Sequence, residues 1–160
     1  MTDFTQAQIS ADPTVPVIRI TRDFRATPAQ LLKAHIDPEL YARWNGPGRL
    51  NTRIDYWDAR RGGSWRFTHV QDGEEYSFYG SFHEITDDLI VQTFTWEGMP
   101  DGVSLETMRF EDLGNGITRL HAQSLVDSFE GRDAWLASGM EVGVTEGYAK
   151  LDALIAAGEV

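Results

Sequence analysis

The side chains of this chain that could do chemistry include four histidines, two adjacent carboxylate pairs at turns and a serine beside a glycine. His35, His69, His83 and His121 contain no His-Glu-x-x-His and no i, i+4 pair, the spacing that aims two imidazoles of one helix at a metal. His69 and His83 fall on strands joined by one hairpin. They would meet only if register and face agreed, and a metal would still need a third ligand such as His121 or Glu84. No metal site is expected. Ser138-Gly139 lacks the Gly-x-Ser-x-Gly frame of an activated serine and reads as part of a helix. Glu74-Glu75 and Asp87-Asp88 flank turns, where solvated charge is their ordinary role. Gly62-Gly63 is followed by neither a helix nor Lys-Ser/Thr, so it is a turn entering a strand and not a phosphate cradle. The chain has no cysteine. That removes a thiol nucleophile, disulfides and Cys-based metal sites, and fits a reducing compartment.

The aromatic residues make a stronger pattern. Successive strand residues point to opposite faces. Trp65, Phe67 and His69 therefore share one face, and Tyr76, Phe78, Gly80 and Phe82 share a face of the next run. Phe94 pairs with Trp96, and Met108 with Phe110, in the same way. Such a set fits plain core, and it equally fits the lining of a pocket of a few hundred cubic ångströms. Arg66, Gln92 and Arg109 alternate with apolar residues and are expected to point outward, because a buried unpaired charge is costly.

Positioning these side chains needs a particular order of elements. Residues 1–14 are polar and without periodicity, and read as a flexible arm. Residues 15–24 are β-branched and read as a strand. Thr27-Pro28-Ala29-Gln30 opens a helix with a capping box, and Asp37-Pro38 opens a second short one carrying Leu40, Tyr41 and Trp44. From residue 51 the pattern changes to strand-like runs at 51–59, 64–71, 75–85, 89–97, 103–112 and 117–126. Turn signals such as Asp72-Gly73 and Asn115-Gly116 divide them. Strands joined so tightly form an antiparallel meander.

Residues 133–157 read as one long amphipathic helix. Leu136, Met140, Val144, Tyr148, Leu151, Leu154 and Ile155 lie within an arc of about 120°. About 25 helical residues span about 37 Å, enough to cross a curved sheet. Gly147 sits in the middle of the apolar arc and Gly143 at its flank. Glycine inside a helix costs about 1 kcal/mol relative to alanine. Either another element approaches closely there, or room is kept for a ligand. The architecture expected is α+β: a curved antiparallel sheet of about seven strands around a long C-terminal helix, with two short helices after the first strand, in one domain over 15–160.

The formal net charge is −11, which disfavours nucleic acid. No basic, apolar leader and no run of membrane-spanning length is seen, so a cytoplasmic, soluble protein is expected.

Several motifs in order then resemble a known family. They are Asp37-Pro38-Glu39-Leu40 with Trp44 and Gly46-Pro47; Arg61-Gly62-Gly63-Ser64-Trp65-Arg66-Phe67; Asp72-Gly73; and Gly80-Ser81-Phe82-His83-Glu84-Ile85. After these come Leu89-Ile90-Val91, Thr95-Trp96, Gly116-Ile117-Thr118-Arg119-Leu120, and Gly139-Met140 with Glu146-Gly147-Tyr148. The order resembles the helix-grip fold of START-like (SRPBCC) domains, in the branch of the activator of the heat-shock chaperone ATPase (Aha-type). That branch usually has Glu-Gly-Trp where this chain has Glu146-Gly147-Tyr148. The resemblance implies a site for an apolar or lipid-like small molecule between sheet and helix, with a possible place in stress response. It brings no shared catalytic motif and no cofactor. The lining expected is Trp44, Trp65, Phe67, His69, Phe78, Phe82, Phe94, Trp96, Met108, Phe110, Met140, Val144 and Tyr148. Two alternatives stay open: a co-chaperone-like module that docks a chaperone partner, and a cyclase- or dehydratase-type enzyme using His69 or Tyr148 on an aromatic or polyketide-like substrate. A monomer or a homodimer fits either.

Overall fold

A computed structural model describes residues 6–48 and 50–160. β1 (Gln8–Ala11) and β2 (Val17–Phe24) lead into α1 (Pro28–Ile36) and α2 (Pro38–Trp44). The meander follows as β3 (Asn51–Trp57), β4 (Ser64–Gln71), β5 (Glu74–Ile85), β6 (Leu89–Trp96), β7 (Ser104–Gly114) and β8 (Ile117–Leu125). α3 (Phe129–Ala137) and α4 (Met140–Ala156) close the chain.

Local chemistry accounts for the short helices. Thr27 Oγ1 accepts from the Gln30 amide at 3.2 Å, and the Gln30 side chain accepts from the Thr27 amide at 2.8 Å. This is the capping box expected from Thr-Pro-Ala-Gln. Asp37 caps α2 by accepting from the amides of Glu39 and Leu40. Two indoles then tie this corner together, Trp44 joining α2 to α1 and Trp57 joining β3 to α1. Trp44 Nε1 donates to the Ala34 carbonyl at 2.9 Å, and Trp57 Nε1 to that of Ile36 at 2.8 Å.

The strands form one antiparallel sheet in the order β1-β2-β8-β7-β6-β5-β4-β3. It is curved and does not close. Its concave face carries Ile18 and Ile20 of β2, Leu120 of β8, Phe110 of β7, Ile90 of β6, Phe82 of β5 and Trp65 and Phe67 of β4, which join Leu31, Trp44, Leu151 and Leu154 in one core.

Two features depart from the sequence expectation. The sheet has eight strands where about seven were expected. The added one is β1, inside the stretch read as an arm; it pairs Gln8 with Thr21 through Ala11 with Ile18. Four residues are too few to show periodicity in a sequence, and the neighbouring strand supplies the bonds that hold them. Residues 1–5 of that stretch lie outside the described residues.

The long C-terminal helix is two helices. Gly139 has φ +90°, the left-handed region that favours glycine, and Ser138 ends α3 by donating from Oγ to the Trp135 carbonyl at 2.6 Å. α3 also begins earlier than expected, with Ser128 Oγ accepting from the Gly131 amide. Its buried Arg132 donates to the carbonyls of Asp12 (2.8 Å) and Val17 (3.1 Å). That anchors α3 to the β1–β2 connection and gives it a direction of its own. The periodicity of the apolar side chains runs on through Gly139, so it hid the break.

Gly147 is explained by close approach. A Cβ there would lie 3.0 Å from the Trp44 carbonyl oxygen and 3.5 Å from the Gly46 amide nitrogen. The element that comes close is the end of α2.

Candidate functional site on the concave face

The expected lining residues separate by accessibility. Trp65, Phe67 and Phe82 are at most 2% exposed, and Phe110 is nearly as deep. They form the solid base of the sheet: Trp65 and Phe67 stack at 5.4 Å with 13° between their planes. Trp44, Tyr148 and His69 are buried toward the α2 and α4 end. Trp96 departs from expectation: it is 43% exposed at the end of β6, with its ring where a Cβ on Gly98 would fall. Phe78, Phe94, Met108, Met140 and Val144 are half-buried, packed on the core yet retaining accessible surface.

The half-buried residues meet polar groups that the sequence reading did not single out. Strand register aligns Gln92 of β6, Glu106 of β7 and Ser124 of β8 in one row. Gln92 Nε2 donates to Glu106 Oε1 at 2.9 Å, and Ser124 Oγ donates to Glu106 Oε2 at 3.1 Å. Gln92, expected to face out, is thus buried and inward. Arg66 and Arg109 face outward; Arg66 pairs with Glu97 at 2.6 Å and Asp55 at 2.7 Å. Met108 and Ala122 occupy the next rung beside Glu106 and Ser124, and Ser104 opposite Phe94 occupies the rung before. From above, Trp135 of α3 stacks on Phe94 at 6.5 Å. The signal for Glu106 was available in the alternation Ser104-x-Glu106-x-Met108-x-Phe110, which puts the carboxylate on the face of the apolar residues.

Electrostatics mark this space as partly shielded from water. Burial pushes the Glu106 carboxyl above its ordinary range, against the pull of its two hydrogen bonds. The hydroxyls of Tyr41 and Tyr148 are pushed up as well, chiefly by burial; the Glu106 charge adds to the rise in both. Neither hydroxyl makes a hydrogen bond among the described residues. The Tyr148 ring packs edge-on to Phe24 at 5.2 Å. Arg22, 4.4 Å above that Phe24 ring, is held by Asp152 of α4 through bonds of 2.9 and 2.5 Å.

His35 and His69 are neutral spacers here. His35 Nδ1 donates to the Leu31 carbonyl at 2.7 Å, and burial lowers its pKa to about 4. His69 packs under Gly46, and burial, with help from the charge on Lys150, lowers it to about 4 as well. Thr52 Oγ1 has one proton and donates it to the Asn45 carbonyl at 3.2 Å, so His69 Nδ1–H donates to Thr52 Oγ1 at 3.0 Å. His83 is exposed beyond the β5–β6 bulge, and His69 stands opposite Tyr76, so the two histidines do not meet. Among the described residues no three His, Cys, Asp or Glu side chains gather to hold a metal ion.

Two surface grooves lie outside this space. One of about 870 Å³ runs past Asp87, Asp88, Arg109, Glu111 and His121 at the far end of β7. The other, of about 540 Å³, lies between Pro47, Leu50 and Gln71 on one side and Val142 and Glu146 of α4 on the other. Glu146 accepts from the Gly48 amide at 2.6 Å and Lys150 Nζ donates to the Pro47 carbonyl at 3.3 Å, which latches this connection to α4.

The fold and sequence have clear relatives. Residues 25–156 match the family described as Activator of Hsp90 ATPase homolog 1-like protein. A crystal structure of a Rhodobacter sphaeroides protein is similar with a TM-score of 0.83 at 25% identity, covering 94% of this chain and 98% of that one. A solution structure from Arthrobacter aurescens is similar with a TM-score of 0.84 at 23% identity, covering 93% and 91%. The AHSA1 protein from Silicibacter pomeroyi is similar with a TM-score of 0.71 at 23% identity, covering 89% and 99%. No protein of curated function matches the chain.

Proposed function

Because the chain belongs to the Activator of Hsp90 ATPase homolog 1-like family, whose members generally bind apolar ligands or act as co-chaperones, we propose that it binds a small apolar molecule on the concave face beneath α3 and α4. The observation that carries this reading is the set of inward-facing side chains that stay only half-buried. Phe94, Met108, Ala122, Trp135, Met140 and Val144 all keep accessible surface although they pack against the core. In a close-packed interior such residues would be sealed. An apolar wall with a few convergent polar groups is the usual make-up of a small-molecule site, and Gln92, Glu106 and Ser124 supply those groups.

Titration with Nile red, a neutral apolar dye, tests the reading. Emission should rise and saturate, and Met108→Trp, which fills the middle of the wall, should weaken binding by about tenfold or more while the circular dichroism stays unchanged. A dye response that is absent, or is untouched by Met108→Trp, would refute it.

Docking to a chaperone is the second reading, favoured by a separate feature. Trp96, Met99 and Val103 are exposed around the β6–β7 connection, and apolar residues gathered at a surface mark interaction sites. On this reading the protein raises the ATPase rate of an Hsp90-type chaperone, and Met99→Asp with Val103→Asp removes the effect. A rate the double variant leaves unchanged would count against it.

A further inference from the structure

Glu106 differs from the other carboxylates that the fold holds in place. Asp23 pairs with Arg119, Asp55 with Arg53 and Arg66, Glu84 with Arg61, Glu97 with Arg66 and Asp152 with Arg22. Glu106 faces no cation among the described residues; its two oxygens accept only from the neutral groups of Gln92 and Ser124. Glu106 is itself half-buried, and a partly desolvated carboxylate without a counter-charge is costly; it is retained here on an apolar wall. Further polar groups beside it are unused. Ser104 Oγ is fully enclosed and has no partner, and Ser104 faces inward one rung from Glu106. The Tyr41 and Tyr148 hydroxyls also make no hydrogen bond among the described residues.

The group that would complete this arrangement carries a positive charge on an apolar body. We infer that the concave-face site takes an apolar primary amine, with its ammonium on the Glu106 carboxylate and its body against Phe94, Met108 and Trp135. An ammonium offers three N–H donors and no acceptor. Glu106 accepts the first as a charge-assisted bond, and water at the accessible edge of the wall accepts the rest. An anionic ligand is excluded by the same carboxylate. The acidic surface, with a formal net charge of −11, also favours the approach of a cation. This inference rests on the apolar-site reading and names its ligand class.

Calorimetry with 4-phenylbutylamine and 4-phenylbutan-1-ol tests it, with Nile red binding followed in parallel. The wild-type protein should bind the amine about tenfold or more tighter than the alcohol. Glu106→Gln, which keeps the shape of the side chain, should reduce that preference to about twofold or less while the circular dichroism shows the fold retained. Equal affinities in the wild type, or a preference that survives Glu106→Gln, overturn the inference. Should Glu106→Gln lose its fold, Glu106→Asp, which keeps the charge and moves it away from the wall, takes its place: a weaker preference for the amine supports the assignment, and an unchanged preference overturns it. Nile red binding without an amine preference removes this inference and leaves the apolar site standing. If neither probe nor the dye binds, both fall.

Discussion

Two histidines make the protein's stability depend on pH in a definite direction. His35 and His69 both have pKa values lowered to about 4 by burial, whereas an unfolded histidine titrates near 6.5. The unfolded chain therefore takes up protons first, and the native state loses stability as pH falls from about 6.5 to 4. A shift of this size is worth up to about 3 kcal/mol for fully buried His35. Glu106, with its pKa raised, works in the opposite sense: as pH rises from the unfolded glutamate value through its raised native value, the native state loses the advantage of holding it protonated. Thermal melts between pH 7 and 4 should show the midpoint falling on acidification, and His69→Asn should flatten the fall. A midpoint that rises on acidification would contradict this assignment. Gly147 is the second decisive residue. A leucine there would drive its side chain into the Trp44 carbonyl, and Trp44 cannot retreat because its indole is bonded to Ala34. Gly147→Leu should cost about 2–3 kcal/mol, lowering the midpoint by roughly 5–10 °C; a variant as stable as wild type would show that α2 can move. The sequence exposed the anomaly at Gly147. It did not reveal the reason, because Trp44 is about a hundred residues away in the chain and only the fold brings its carbonyl there.

At the level of elements, α4 is held to the sheet by a buried ion pair. Arg22 of β2 lies under the helix with Asp152 on its guanidinium. Asp152→Ala takes away that carboxylate and should cost about 3 kcal/mol by urea denaturation; a loss of a few tenths would place the anchoring elsewhere. The break between α3 and α4 is held by Gly139, whose φ of +90° strains any residue with a Cβ. Gly139→Ala should therefore destabilise by about 1 kcal/mol or more in the same assay, whereas an uninterrupted helix would gain about 1 kcal/mol from that change. Strands and turns were legible because a period of two and Asp-Gly or Asn-Gly are local signals. β4 spans Ser64–Gln71, as expected, and Asp72 adopts the positive φ that its turn demands. Helix continuity was not legible. Side-chain periodicity persists across Gly139, and the contacts of Arg132 that turn α3 aside lie in another part of the chain.

For the molecule as a whole, the sheet is curved but open, and the two C-terminal helices cover only part of its concave face. Binding there links directly to stability. A ligand that binds only the native state, supplied at about 100 times its Kd, adds about 2.7 kcal/mol. Nile red or 4-phenylbutylamine at such excess should raise the melting midpoint by several degrees; saturable binding with no shift would place the ligand on the unfolded chain or on a surface unrelated to the fold. What the sequence determined by itself was the order of the main elements, the faces of the aromatic strand residues and the family likeness, since these rest on residues close together in the chain. Of the residues it expected on the apolar wall, Phe94, Met108, Met140 and Val144 sit half-buried against the core. The tertiary structure alone decided which wall residues are sealed and which stay accessible, turned Gln92 inward, and joined it with Glu106 and Ser124 across three strands. Register and curvature arise from pairing between distant segments, so a carboxylate that reads as one more charge on an acidic strand becomes the polar centre of an apolar face.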